Sequence, residues 1–392
     1  MRTLEGITVV SLEQAIAAPF CTRHLADLGA RIIKIERPGS GDFGRAYDKR
    51  VRGLSSHFVW TSRAKESLTL DVKAAPAAGI LDALIAKADV LVQNLVPGAA
   101  GRLGLDWERV HRLNPRLILC DISGYGPDGP YRDKKAYDLL IQSEAGVVAV
   151  TGTPEEPAKC GISISDISAG MYAYSQILAA LIRRGQTGQG SHVEISMLEC
   201  TVEWTTYPLY YTLDGQPQPE RAGASHAVIY PYGPFVAGDG KTVILGVQNE
   251  REWKIFCDKV LGRPELAEDP HFCDNPHRVA GRETLRQMID EAFKDLSAEQ
   301  VMQKLETAGI ANARMNDVAE LWEHPQLKAR QRWTEIATPA GPVPALFPPG
   351  MSAADDPRMD PVPALGEHTD GILAELGFDS GAIAGLHAAG VV

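Results

Sequence analysis

Short apolar runs alternate with helix-period segments through about the first 125 residues, and that alternation leaves few folds open to the chain. Ile7–Leu12 is an apolar run that reads as a buried strand. Pro19–Leu28 carries Phe20, Leu25 and Leu28 at helical spacing, with Pro19 near its start and Gly29 past its end. Arg31–Glu36, Ser67–Asp71, Val90–Leu95 and Leu117–Ile122 read as further strands, and Ala75–Lys87 and Trp107–Leu113 as helices. Strand–helix–strand repeats connect parallel neighbours. The expected class is therefore α/β, with a parallel sheet covered on both faces.

Further along, Ala169–Arg184 is the strongest helical pattern, closed by Arg183, Arg184 and Gly185. His192–Met197 alternates as a strand. Residues 205–229 are aromatic and rich in Pro and Gly, which reads as a linker. A second unit starts near Tyr230, with a strand at Thr242–Val247 and helices at Arg251–Leu261 and Glu283–Phe293. Ser297 and Gln300 form a capping-box pattern before a helix stopped by Gly309. Residues 338–363 read as an extended return, and Asp370–Leu376 as a last short helix.

Bulk properties remove several functions. Fifty acidic against 39 basic residues give a net charge of -11, which argues against a nucleic-acid partner. A small anionic ligand stays open, because local basic clusters survive inside an acidic envelope. No apolar run is long enough to span a membrane. The start, MRTLEGITVV, lacks the pattern of a signal peptide, so a cytoplasmic location is expected. The six cysteines are scattered, with no CxxC, so neither a metal site nor a disulfide framework is expected.

Gly39-Ser40-Gly41-Asp42-Phe43-Gly44 matches G-x-G-x-x-G as a string, but no convincing helix opens from it. Dinucleotide binding is therefore not expected. Lys34, Arg37 and Arg45 around this turn are either phosphate ligands or solvated bases. Asp166 stands just before the strongest helix, where it is either an ordinary N-cap or an accessible ionised carboxylate. Asp138 and Gln142 share a helix face in YDLLIQ. The Gly/Pro-rich loop before them carries Arg132, Lys134 and Lys135. No G-x-S-x-G is present, so a hydrolase elbow is unsupported.

Together these blocks resemble the class III coenzyme A transferases, the CaiB/BaiF type that includes formyl-CoA transferase. The likeness rests on LEGITVVSLEQAIAAPFCTRHLADLGARIIKIERPGSGD, SLTLDVK, ADVLVQNLVPGAAGRLGL, SISDISAGMYAYSQILAALIRRGQTGQGSHVEISMLE, YPYGPF, NEREWKIFC and PALGEHTDGILAELG, in that order. The resemblance implies a Rossmann-like large domain made of both chain ends (1–204 and 326–392), joined by the 205–229 linker to an inserted small α/β domain (230–325). It also implies an interlocked homodimer.

For the site, the resemblance makes Asp166 the nucleophile that passes through an acyl anhydride and an aspartyl-CoA thioester. Asp138 matches an active-site glutamate, one methylene shorter here. Ile16, Ala17, Ala18, Arg37, Asn94, Arg102, Lys135 and Tyr137 match positions around coenzyme A, which is a substrate rather than a resident cofactor. Formyl-CoA transferases have glutamine where this chain has Ile16, and a glycine-rich flap where it reads Gly246-Val247-Gln248-Asn249-Glu250. Both departures point away from formate and oxalate and toward a larger acyl group.

EQAIAAPFCTRHLADLGARIIKIERPG, AYDLLIQSE and LGVQNEREWK look like the succinyl-CoA-dependent itaconate or mesaconate branch. A dicarboxylate of that size needs a cation at its far end, for which Arg45, Arg221 and His226 are candidates, with Gln142 and Gly246 also near the acyl position. The rivals are an acyl-CoA racemase, whose histidine is missing from Ala136-Tyr137-Asp138, and a non-catalytic CoA-binding protein.

Overall fold

The computed structural model describes all 392 residues, and they divide into two units. Unit 1 holds residues 1–146, 160–205 and 325–392, and unit 2 holds 147–159 and 206–324. Both ends of the chain thus share unit 1. The segment 147–159, which the resemblance places in the large domain, groups with unit 2, as do most of residues 205–229.

Unit 1 is built on β1 (Thr8–Leu12), α1 (Ala17–Asp27), β2 (Arg31–Glu36), β3 (Lys65–Thr69), α2 (Ala77–Lys87), β4 (Val90–Gln93), α3 (Trp107–Leu113), β5 (Ile118–Ser123), α4 (Asp138–Glu144), α5 (Ile164–Thr187) and β6 (Ser191–Ser196). The strands form one six-stranded parallel sheet in the order β3-β2-β1-β4-β5-β6. Its central strands are buried on both sides, so they read as unbroken apolar text rather than as alternation. Val9, Ile32 and Val92 pack under α1 and α5, and Val10, Ile33 and Leu91 under α2 on the opposite face.

Unit 2 has a three-stranded antiparallel sheet, β7 (Tyr232–Val236), β8 (Thr242–Gly246) and β9 (Ala311–Arg314). Helices α6 (Glu250–Ile255), α7 (Arg282–Phe293) and α8 (Ala298–Ala308) accompany it. Trp253, Phe256, Phe293 and Leu305 fill the core they share. The capping box at α8 forms as expected, with the Gln300 N–H donating to Ser297 Oγ and the Ser297 N–H donating to Gln300 Oε1 at 2.8 Å. The expected helix 251–261 is α-helical only to Ile255 and continues as a wider π-turn.

The return into unit 1 contains a hairpin, β10 (Trp333–Ile336) and β11 (Val343–Leu346), whose second strand falls inside the stretch expected to be plainly extended. Helix α9 (Thr369–Glu375) follows as expected, but a further helix, α10 (Ser380–Ala388), comes after it. Its Ile383 and Leu386 join the core beneath β2 and β3. Thr369 Oγ1 accepts the Thr69 N–H at 3.0 Å, and the Val391 carbonyl accepts the Asp71 N–H at 2.7 Å, so the last segment is tied to the edge of the sheet. No helix is long and apolar enough to cross a membrane.

Candidate active site

Strand order reverses between β1 and β4, and open α/β sheets bind ligands beyond the carboxyl ends of the strands at such a switch point. Here the loops leaving those two strands are stitched together. The Gln14 N–H donates to Asn94 Oδ1 at 2.8 Å, and Asn94 Nδ2 donates to the Gln14 carbonyl at 2.9 Å. Ala15 follows with φ 61°, a left-handed conformation that costs an alanine roughly 1–2 kcal/mol. Ile16, Ala17 and Ala18 then open α1, all buried.

Helix α5 lies against this turn. A Cβ at Gly170 would stand 2.7 Å from the Ala17 carbonyl oxygen, so only glycine allows the approach. Asp166 is one turn before Gly170 on the same helix. The sequence places Asp166 ahead of the helix as a cap, and the structure corrects this. Helix α5 starts at Ile164, so Asp166 sits inside the first turn and Ser163 holds the cap position. The capping work is done from a distance. Asp138 Oδ1 accepts the Ser165 N–H at 2.8 Å, and Asp138 Oδ2 accepts Gln142 Nε2 at 2.6 Å. Gln142, fully buried, accepts the Cys160 N–H at 2.8 Å.

The Asp166 carboxylate makes no hydrogen bond to protein and is only partly covered. Burial first, and the Asp138 carboxylate second, push its carboxyl up to about 7. Helix N–H groups do not hold this carboxylate, because Asp138 takes the Ser165 N–H instead. Tyr47, unnoticed in the sequence, completes the surroundings. Burial and then the Asp166 charge raise its phenol to about 12.

The basic residues split into free and committed. Arg37, Arg102 and Lys135 are exposed, with side chains that no carboxylate neutralises. Lys34, offered above as a phosphate ligand, is fully buried and paired to Glu13 at 3.1 Å and Asp42 at 2.7 Å. Arg45 is gripped by both oxygens of Glu36, at 2.8 and 2.7 Å, and lies 3.8 Å from the Phe58 ring centre. Its charge is already neutralised. The G-x-G-x-x-G turn is thus held around a buried ion network rather than opened as a phosphate cradle. Lys134 pairs with Glu144 and stands over Tyr131. Tyr137 is exposed at the start of α4.

The other candidates belong to unit 2. Arg221 donates to the Thr153 and Pro154 carbonyls at 2.7 and 2.8 Å, neutral acceptors that leave its charge unmatched. His226 stacks on Tyr232 with ring centres 5.3 Å apart. Gly246 ends β8, where a Cβ would meet the Tyr232 ring at 3.1 Å. Cys273, Asp274 and His277 bring ligand atoms within 4.8 Å of one another, a grouping the scattered-cysteine reading missed, but Asp274 is already engaged in capping a helix and pairing with His277.

The profile of CoA-transferase family III matches residues 4–369, nearly the whole of both units. The chain belongs to this family. An acetyl-CoA:oxalate CoA-transferase of Acetobacter aceti is 35% identical, with 93% of each chain covered. A human succinyl-CoA:glutarate CoA-transferase is 32% identical, covering 100% of this chain and 90% of its own. A CaiB/BaiF family protein from Brucella suis superposes with a TM-score of 0.83 at 33% identity, over 96% of this chain and 99% of its own. Family III membership makes the protein an enzyme that transfers coenzyme A between an acyl-CoA and a carboxylate.

Proposed function

We propose that the enzyme moves coenzyme A from succinyl-CoA to a C4–C5 dicarboxylate such as itaconate or mesaconate, with Asp166 as the nucleophile. The observation that carries this is the Asp166 carboxylate, free of protein hydrogen bonds beside the fully engaged Asp138. One Asp166 oxygen attacks the thioester carbonyl and expels the CoA thiolate, leaving an acyl-aspartyl anhydride. The thiolate then attacks the aspartyl carbonyl, giving an aspartyl-CoA thioester and free succinate. The acceptor carboxylate repeats both steps in reverse order. Covalent catalysis divides one hard exchange into easier ones. Free carboxylate attacks, so kcat/KM for the donor rises with pH until Asp166 is ionised near pH 7 and then levels. Rates measured across that range, from acid to mildly alkaline buffer, check this.

In this reading Asp138 and Gln142 orient the first turn of α5. Ile16, Ala17 and Ala18 support the pantetheine arm, with Asn94 and Tyr137 beside it. Arg37, Arg102 and Lys135 meet the phosphates as exposed, unneutralised charges. Arg37→Ala and Arg102→Ala each raise KM for acyl-CoA by about tenfold, with a smaller change in kcat. The effect shrinks at high salt. Arg45, already paired to Glu36, is not free to meet the acceptor's far carboxylate. The relatives reported above are named for dicarboxylate acceptors, oxalate and glutarate. Apolar Ile16 favours the longer ones. An interlocked homodimer in the cytoplasm belongs to the same proposal. Trp204, Tyr207, Leu209, Tyr210 and Leu213, all exposed along one short stretch, support a partner surface.

The test incubates the protein with succinyl-CoA and itaconate, mesaconate, citramalate, oxalate or carnitine, and follows new thioesters. Exchange to the C4–C5 acids at a higher kcat/KM than to oxalate is expected. Exchange to oxalate alone overturns the acceptor class. No exchange to any acid overturns transfer from succinyl-CoA, and α-carbon scrambling without exchange identifies a racemase.

A further inference from the structure

The turn that faces α5 is held by a carboxylate from outside it. Asp42 is buried and uses both oxygens. Its Oδ1 accepts the N–H groups of Ala15 at 3.0 Å and Gly44 at 2.8 Å. Its Oδ2 accepts Lys34 Nζ at 2.7 Å. Lys34 also donates to Glu13 Oε1, which it shares with Lys65 Nζ at 2.7 Å, and Thr22 Oγ1 donates to the other Glu13 oxygen at 2.5 Å. The chain around Asp42 is fixed in turn, because Glu36 accepts its N–H at 3.0 Å. Glu13 and Asp42 thus grip the turn before and after Gln14, and both are anchored on one buried lysine.

Ala15 sits between them at φ 61°, a conformation that side-chain-bearing residues disfavour. Such a residue persists only where its surroundings over-determine it. The Asp42 hydrogen bond is the one made to the Ala15 N–H itself, beside the Asn94 bond to the Gln14 carbonyl. Two residues later comes the Ala17 carbonyl on which Gly170 closes, one helical turn from Asp166.

We infer that Asp42 is a positioning residue for CoA transfer: by holding Ala15 left-handed, it sets the Ile16–Ala18 turn against the helix that carries Asp166. This rests on the functional reading above for what the turn does, and on geometry alone for what Asp42 does. Asp42 touches no reacting atom. If the clamp opens, Ala15 relaxes to negative φ and the turn moves relative to Asp166, an error of a kind that costs up to about 10²-fold in rate.

Asp42→Ala is expected to lower kcat/KM for acyl-CoA by about tenfold or more. Adding Ala15→Gly, which has no penalty for positive φ, is expected to restore at least part of that loss. A residue needed only for stability gives no such rescue. Ala15→Pro is the second variant, in case Asp42→Ala fails to fold. It leaves every ion pair in place, removes the N–H and forces negative φ, and it is expected to show the same loss in kcat/KM with its melting temperature read alongside. Crystal structures of the variants give a readout independent of turnover. Ala15 should have negative φ in Asp42→Ala, and the glycine replacing it in the double variant should keep positive φ. Ala15 still at positive φ in Asp42→Ala, or a folded Ala15→Pro with the parent's kcat/KM, overturns the inference. A parent protein that moves no CoA counts against the functional reading instead, and the φ comparison still decides the clamp.

Discussion

Replacing Asp166 by asparagine is expected to lower CoA transfer by about 10⁴-fold or more, the scale seen when a covalent nucleophile is removed. The amide keeps the shape and loses the attacking oxygen anion. Mass spectrometry after addition of donor finds CoA mass on the Asp166 peptide of the parent and not of the variant. The same substitution is expected to stabilise the fold. The unfolded carboxyl ionises near its ordinary value of 3.8, whereas burial and Asp138 raise the folded one to about 7. Between those values the folded state keeps a proton that the unfolded state has released, so stability falls as pH rises through the window. Asparagine has no such dependence. At about pH 8 the variant gains about 1–3 kcal/mol over the parent, discounted for partial exposure, and the gain disappears near pH 4. Equal melting temperatures in the alkaline buffer would show that Asp166 ionises without cost.

Lys34→Met is expected to cost about 3–5 kcal/mol, the usual result of breaking a buried pair from one side. The lysine is fully buried and shared between Glu13 and Asp42. Without it, Glu13 keeps only Lys65 as a cationic partner, and Asp42 keeps only backbone donors. Methionine fills the space but neutralises nothing. The pH dependence has a definite sign. Burial alone would raise Glu13, but Lys34 and Lys65 overcome it and hold the carboxyl down to about 2. In the parent this contribution is present above the ordinary carboxylate range and is lost as pH falls toward 2. The deficit of the variant is therefore largest at neutral pH and narrows below the ordinary value of 4.5, which urea titrations on either side of it would show. A constant deficit across that range means that packing, not charge, sets the cost.

Much of this is legible because it is local. Arg31–Glu36 and Trp107–Leu113 have the same limits in sequence and structure, and the structure shows the helix capped by its own neighbour Asp106. The capping box at Ser297 is equally local. What stays hidden depends on partners far along the chain. The start of α5 is fixed by Asp138, 27 residues away from Ser165, so pattern alone cannot find it. Arg45 reads as free because Glu36 is brought to it only by the fold. Asp42 reads as one letter of a glycine motif, and its work lies in hydrogen bonds to Ala15 and Lys34. Residues 147–159 join unit 2 through contacts with residues far along the chain, such as the Gly223 N–H on the Gly152 carbonyl, which local pattern does not show.

The division of unit 1 across the chain has a consequence for synthesis on the ribosome. The six-stranded sheet is complete once β6 has emerged, but part of the cover of one face and the ties at its β3 edge come from 325–392. Translation of unit 2 intervenes, a delay on the order of ten seconds at cellular elongation rates. During that interval Leu68 and Leu70, at the β3 edge, wait without Ile372, Leu373 and Ile383 of the same core. The nascent chain therefore passes through a stage with a half-clothed sheet, the stage at which chaperone capture or edge-to-edge aggregation would act. Yield of native enzyme should then respond to elongation speed through unit 2 more than through the first six strands.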